Sequence, residues 1–118
     1  MTATTPPLIE KTRAQLREEI QDRYAPFTTF CADFFGMTPE ELLSFERGNP
    51  HRDRARHIAM YVARRVFQRL TLQQLAAIFH RNSHVTIMRA VRKVAGSPTL
   101  VREAVSMAKA LDAHSRTS

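Results

Sequence analysis

Apolar positions recur along the chain at helical spacing, and no segment shows the strict alternation of a half-buried strand. From Leu8 to Tyr24, Ile9, Leu16, Ile20 and Tyr24 fall on one face of a predicted helix, after a frayed tail at residues 1–7. Pro26 opens a second helix, with Phe27, Phe30, Cys31, Phe34 and Phe35 as its apolar stripe and Gly36 as its left-handed stop. Thr38-Pro39-Glu40-Glu41 is a capping box that starts a short helix through Leu42 and Leu43. Phe45 to His51, with Gly48, Asn49 and Pro50, reads as a loop. A long helix is expected from about Asp53 to Gln68, burying Ile58, Ala59, Val62, Val66 and Phe67. Thr71 to Gln74 is a second capping box, ahead of a short helix with Leu72, Leu75, Ala76 and Phe79 inward. His80, Arg81 and Asn82 make a tight connection, and Ser83 caps a helix from His84 to about Val94 with Ile87, Ala90, Val91 and Val94 as its core face. Ser97-Pro98 starts a last helix with Leu100 or Val101, Ala104, Val105, Ala108 and Leu111 as its stripe, and His114 to Ser118 is expected to fray.

The fold class expected is all-α: a compact helical domain around a central helix-turn-helix, because a short helix, a tight turn and a basic second helix follow one another. Residues 1–24 form a tail and connecting helix, residues 25–96 the helix-turn-helix domain, and residues 97–118 a C-terminal helix packing on the same domain. With 118 residues there is room for one modest core, and three glycines suit helices better than a sheet with many turns. Cys31 is the only cysteine, which excludes an internal disulfide and a cysteine-based zinc site and fits a reducing compartment. No signal peptide and no membrane-length apolar run stand in the chain, so the expected location is cytoplasmic and nucleoid-associated, with no membrane partner.

Charge sharpens the picture. The net charge is +7, but residues 1–46 are acidic, whereas from Arg47 to Arg102 the only acid is Asp53. Against it stand Arg47, Arg52, Arg54, Arg56, Arg64, Arg65, Arg69, Arg81, Arg89, Arg92, Lys93 and Arg102. One-sided charge of this kind creates a potential whose commonest partner is a polyanion. The predominance of Arg suits the forked geometry of phosphate and guanine edges. The basic segment is nearly free of acids and no triad or carboxylate pair stands out, so the chain is not read as an enzyme and no catalytic residue or cofactor is assigned. His80 and His84 have the i, i+4 spacing of a two-histidine metal site, but no Glu lies between them and no third ligand is evident, so no metal is assigned.

Four ordered pieces between Thr29 and Val94 resemble the C-terminal duplex-DNA-binding domain, domain IV, of the bacterial replication initiator DnaA. They are Cys31 to Leu43 with Phe34-Phe35-Gly36 and Pro39-Glu40-Glu41-Leu42-Leu43; Arg56-His57-Ile58-Ala59-Met60-Tyr61-Val62-Ala63-Arg64; Leu72 to Phe79; and His84-Val85-Thr86-Ile87-Met88-Arg89-Ala90-Val91-Arg92-Lys93-Val94. The resemblance implies a six-helix fold of the Trp-repressor and DnaA kind, with double-stranded DNA as partner at a short asymmetric site, the DnaA box. It implies that the second helix of the motif enters the major groove and that an arginine of the basic loop enters the minor groove. Carried over, Arg56, His57, His84, Val85 and Thr86 fall at base-facing or phosphate-facing places, Arg47 is the candidate minor-groove arginine, and Arg92 and Lys93 match backbone contacts. Arg81, Ser83 and Arg89 complete the candidate DNA-binding set.

The departures bear on specificity. His80-Arg81-Asn82-Ser83 stands where the family has Gly-Gly-Arg-Asp, Val85 replaces a Ser or Thr, His57 stands where Gln is frequent, and the basic loop is one residue longer. Val85 can touch a thymine methyl but donates no hydrogen bond. The expected function is sequence-specific duplex binding in replication control or transcriptional regulation. The alternative is a protein-interaction module whose basic face meets an acidic partner or binds nucleic acid non-specifically, with the terminal helices serving a homodimer or a partner protein. No Gly-x-x-x-x-Gly-Lys-(Ser/Thr) phosphate loop is present, so the expectation is a freestanding domain or a fragment that does not hydrolyse ATP.

Overall fold

The computed structural model describes residues 11–117, and within them seven helices and no strand. They are α1 (Arg13–Arg23), α2 (Ala25–Phe34), α3 (Pro39–Leu43), α4 (Pro50–Val66), α5 (Leu72–Ile78), α6 (His84–Ala95) and α7 (Pro98–Thr117). The expected tail at 1–7 and the first turn of the expected Leu8–Tyr24 helix lie outside the described residues.

Local signals set most of the boundaries. Thr12, Thr38 and Thr71 each accept a hydrogen bond from the N–H three residues on, and Gln15, Glu41 and Gln74 bond back to the cap N–H, so three capping boxes start α1, α3 and α5. Ser83 caps α6 through Val85 N–H, and Ser97 Oγ accepts from Leu100 N–H at the start of α7. α4 begins three residues before the expected Asp53: Asn49 Oδ1 accepts the Arg52 N–H and Pro50 takes the first helical position. α7 continues through the stretch expected to fray and reaches Thr117.

α4 is the central element, touching α2, α3, α5, α6 and α7. Its Ile58, Ala59, Val62 and Ala63 meet Leu75, Ala76, Ile78 and Phe79 of the α5 segment, Ile87, Ala90 and Val94 of α6, and Ala104 and Met107 of α7 in one core. Each large aliphatic side chain buried there contributes about 1.5–3 kcal/mol. Tyr24 and Phe27 meet the Phe67 ring edge-on, both at 5.0 Å, and so pin the end of α4 to α2. Cys31 is fully buried, and burial pushes its thiol pKa up, which makes it inert core.

Three expected core positions are surface instead. Phe34, Val66 and Val105 are all exposed. α2 buries Phe27, Thr28, Cys31 and Ala32 and ends at Phe34, whose ring lies against Phe30 and Phe35 at the end of the helix. Val66 sits on the last turn of α4, where Ala63 and, just beyond the helix, Phe67 face the core instead. In α7 the buried line runs through Ala104 and Met107 with Ala108 and Leu111 beside it, and Val105 lies about 100° around the helix from Ala104.

α2 and α5 end in the same way. After α2, Met37 N–H bonds Ala32 C=O at 2.9 Å and Gly36 N–H bonds Asp33 C=O at 3.1 Å, with Gly36 at φ 71°. After α5, Arg81 N–H bonds Ala76 C=O at 2.8 Å and His80 N–H bonds Ala77 C=O at 2.9 Å, with His80 at φ 59°. Both are Schellman stops, and the second places a histidine where glycine is favoured. The left-handed conformation costs a side-chain-bearing residue about 1–2 kcal/mol, part of which glycine gives back through its looser unfolded chain. His80→Gly is therefore expected to raise stability by about 0.5–1 kcal/mol, roughly 3–6 °C in Tm. A thermal melt checks this, and a lower Tm would show that the His80 side chain supports the turn.

Candidate nucleic-acid interface

α3 has five residues, so its final carbonyls lack a following turn, and the backbone supplies only the Ser44 N–H to Glu41 C=O at 3.4 Å. Two arginines from other elements satisfy them. Arg56, on α4, donates through Nε to Leu42 C=O at 2.8 Å and through Nη2 to Glu41 C=O at 3.2 Å, while Nη1 pairs with Asp53 Oδ1 at 2.7 Å. Arg81, delivered by the left-handed turn at His80, donates to Leu43 C=O at 3.0 Å, Ser44 C=O at 2.9 Å and Phe79 C=O at 3.1 Å. Two cations at one helix C-terminus also oppose its dipole. Burial, and then the nearby Arg56, lower the Arg81 pKa from its ordinary value.

The sequence expectation sets Arg56 and Arg81 among the DNA contacts; in the free protein their guanidiniums are held by backbone carbonyls, and both still line the cleft that Arg47 and Arg89 share. Arg56 is only 6% exposed, and both guanidiniums are engaged by backbone carbonyls, because a short helix with a bare C-terminus lies between α4 and the turn. Arg52 and Arg54 are also engaged: Arg52 bridges Glu41 at 2.5 Å and Glu46 at 2.6 Å, and Arg54 pairs with Glu103 of α7.

Among the cations of the basic segment that remain, Arg64, Arg69 and Arg102 are exposed on α4, the connection after it and α7, whereas Arg47, Arg89, Arg92 and Lys93 lie on α6 and the loop after α3. α6 buries Ile87, Ala90 and Val94 and leaves His84, Val85, Met88, Arg89, Arg92 and Lys93 exposed, with Thr86 half-buried. Arg47, Arg89, Arg92 and Lys93 have no hydrogen-bond or ion-pair partner among the described residues, and Arg47 is exposed on the loop after α3. Arg47 and Arg89 line one cleft together with Phe45, His57 and Thr86, so the loop and α6 form its two lips. Ser83 is exposed, and its hydroxyl is engaged as the cap of α6. Gln73 Nε2 bonds Asn82 C=O at 2.8 Å and holds the turn between α5 and α6.

His57 is half-buried on α4 beside Lys93. Burial first, and then the charges of Lys93 and Arg56 against the opposing pull of Asp53, lower its pKa below 6.5. Folding thus favours neutral His57, so its share of stability is complete above pH 6.5 and declines as pH falls through 6.5 towards the lowered folded value. A phosphate beside it acts in the opposite sense and favours the protonated ring. Duplex affinity is therefore expected to strengthen between pH 8 and 6, with a log–log salt slope steeper by up to about 0.9 for one added contact. His57→Gln should remove that share of the pH dependence, and an unchanged pH profile in the variant would place the ring away from phosphate.

Sequence reasoning missed two exposed residues of this surface. Met88 is 39% exposed, one turn along α6 from His84 and Val85. Phe45 is 68% exposed at the lip of the cleft, and the signal for it was an aromatic residue within a polar loop.

Among the described residues, no group of three His, Cys, Asp or Glu side chains comes together, and no helix is long and apolar enough to cross a membrane. The family described as bacterial dnaA protein helix-turn-helix matches residues 28–94. The chain is 32% identical over 96 residues to the chromosomal replication initiator protein DnaA of Ralstonia pickettii (strain 12J), covering 77% of this chain and 18% of that protein. It is 37% identical over 65 residues to the protein of the same name from Aquifex aeolicus (strain VF5), covering 55% of this chain and 16% of that protein. With the protein of the same name from Ralstonia nicotianae it shares 33% identity over 92 residues, covering 74% of this chain and 17% of the relative. The chain spans less than a fifth of the length of each of these relatives. The matched residues run from α2 through α6 and so include both helices of the motif, its turn and the arginine-capped α3: the chain belongs to the bacterial DnaA helix-turn-helix family.

Proposed function

We propose that this chain binds double-stranded DNA in a sequence-specific way, laying α6 in the major groove and reaching the neighbouring minor groove with Arg47. The observation that carries the reading is the cleft between the loop after α3 and α6, lined by unpaired arginines from both sides. Arg52, Arg54, Arg56 and Arg81 are engaged within the protein, whereas Arg47, Arg89, Arg92 and Lys93 are left without partners on the surface shared by the loop and α6. Arg64, Arg69 and Arg102 are also exposed without ion-pair partners among the described residues, so what singles this surface out is the cleft that joins Arg47 of the loop to Thr86 and Arg89 of the motif's second helix.

His84, Val85 and Thr86, at the N-terminal end of α6, and Arg89 one turn on, read base edges; Arg92, Lys93 and His57 hold phosphates. Val85 and Met88 offer apolar surface to thymine methyls. Arg56, Arg81 and Ser83 act as positioning residues that hold the loop and the start of α6. The biological setting that follows from the family is control at sites of replication initiation, where occupancy of a site by this domain excludes or assists another protein. Transcriptional regulation uses the same recognition.

The test is a fluorescence-anisotropy titration against a DnaA-box duplex and a scrambled duplex of equal composition, each at two salt concentrations. Tighter binding to the box that persists at the higher salt supports the reading in full. Equal, steeply salt-sensitive binding to both duplexes would overturn the specificity for that site, and absence of binding would overturn the function.

A further inference from the structure

The loop between α3 and α4 carries one large apolar side chain that the core does not claim. Phe45 is 68% exposed, more than any other large hydrophobic residue among those described. Burying one benzyl group elsewhere would be favourable, and a loop residue bordered by Ser44 and Glu46 has no packing need to be aromatic.

Its surroundings hold it in place. The Arg81 guanidinium lies 4.3 Å from the centre of the ring. That guanidinium is itself fixed by the carbonyls of Leu43, Ser44 and Phe79, and Arg81 C=O accepts from Arg17 Nη1 at 3.1 Å. Next along the chain, Glu46 N–H bonds Ser44 Oγ at 3.0 Å, and the Glu46 carboxylate holds Arg52. The ring is thus a braced side chain standing in solvent, so little rotamer entropy remains to be lost when something packs on it. It lines the same cleft as Arg47, Thr86 and Arg89. Glu46 and Asp53 line it too, but they are paired with Arg52 and Arg56, so the unpaired charge there is positive and suits an anionic polymer with apolar surface between its charges.

We infer that Phe45 is a direct, non-electrostatic contact to duplex DNA, packing its free side on the sugar–base wall of the groove that Arg47 enters. The inference rests on the proposed duplex binding and adds to it a residue whose contribution does not depend on salt. Apolar side chains beside a groove-inserted cation hold the duplex by excluding water from the deoxyribose and base edges, and where they wedge they unstack a base step. Arg81 is the positioning residue for this contact, since it touches the ring and the loop backbone.

The experiment compares the wild-type chain with Phe45→Ala, Phe45→Trp and Arg47→Ala by anisotropy at four salt concentrations, on the duplex that the wild type binds best. Phe45→Ala is expected to lose about tenfold in affinity at every salt concentration, with the log–log slope unchanged, because no phosphate contact is removed. Phe45→Trp is expected to retain binding, and Arg47→Ala to reduce the slope by about 0.9. Thermal melts of the free variants guard against loss of fold, and Phe45→Ala should melt within a few degrees of the wild type because an exposed ring contributes little to stability. Wild-type affinity in Phe45→Ala would overturn the inference while leaving duplex binding intact, as would a loss that falls away at high salt. Failure of the wild type to bind any duplex would instead overturn the proposed function.

Discussion

Replacing Arg56 with Ala is expected to cost about 3 kcal/mol of folding stability, and to leave the number of phosphate contacts unchanged. The mutation removes three hydrogen bonds from a guanidinium that is only 6% exposed. Leu42 C=O is left buried without a donor, which costs about 1–3 kcal/mol, while Glu41 C=O keeps the Ser44 N–H and loses only the bond from the charged guanidinium. Asp53 adds less, because it is partly solvated and recovers water. For a domain of this size the loss amounts to a fall in Tm on the order of 15 °C. Arg56→Lys should recover only part, since one ammonium group cannot serve two carbonyls and a carboxylate in the guanidinium's flat fork. Urea unfolding measures the stability, and the salt dependence of duplex binding, taken at a temperature where the variant is folded, measures the contacts. The expected pair is a large drop in the urea midpoint with an unchanged slope. Wild-type stability with a slope reduced by about 0.9 would instead make Arg56 a phosphate contact and refute its anchoring role.

Arg56 also shows where sequence reading stops. The helix order, the capping boxes at Thr38 and Thr71, the serine cap of α6 and the Gly36 stop are local events, set by residues within a few positions of one another, and each was legible. The Thr12 box is as local, but the apolar spacing from Leu8 to Tyr24 ran the expected helix past it. Periodicity placed Ile58, Leu75, Ile87 and Val94 in the core for the same reason. The direction of an arginine is not a local matter. Arg56 and Arg81 turn inward because the end of α3 lies beside them, and that contact joins residues 14 and 38 positions apart. Composition counted them with Arg47 and Arg89 as one basic segment, and the fold divides the two pairs. The start of α4 was legible in principle, since Asn49-Pro50 combines a cap with a proline at the first helical position. The turn at His80 needed tertiary information of another kind. A histidine gives no hint of positive φ, and only the bonds from Arg81 and His80 to Ala76 and Ala77 reveal it.

The double substitution Arg47→Ala with Arg89→Ala is expected to weaken duplex binding roughly a thousandfold, at about 2 kcal/mol for each lost arginine contact. Both side chains are exposed and lack internal partners, so their removal should change folding stability by less than about 0.5 kcal/mol. They stand on opposite lips of one cleft, Arg47 on the loop that Arg56 and Arg81 anchor and Arg89 on α6. Each is expected to reach the duplex from its own side, so their effects should nearly add. If both touch phosphate, the salt slope falls by about 1.8; if Arg89 reads a base edge, the slope falls less and discrimination between box and scrambled duplex falls more. Arg54→Ala is the matched control, because it removes the same charge from a residue paired with Glu103, and it is expected to change affinity little. A double variant that binds like the wild type would show that the cleft between the loop and α6 is not where DNA sits. An equal loss from Arg54→Ala would mean that total charge matters and that the sorting of the arginines does not.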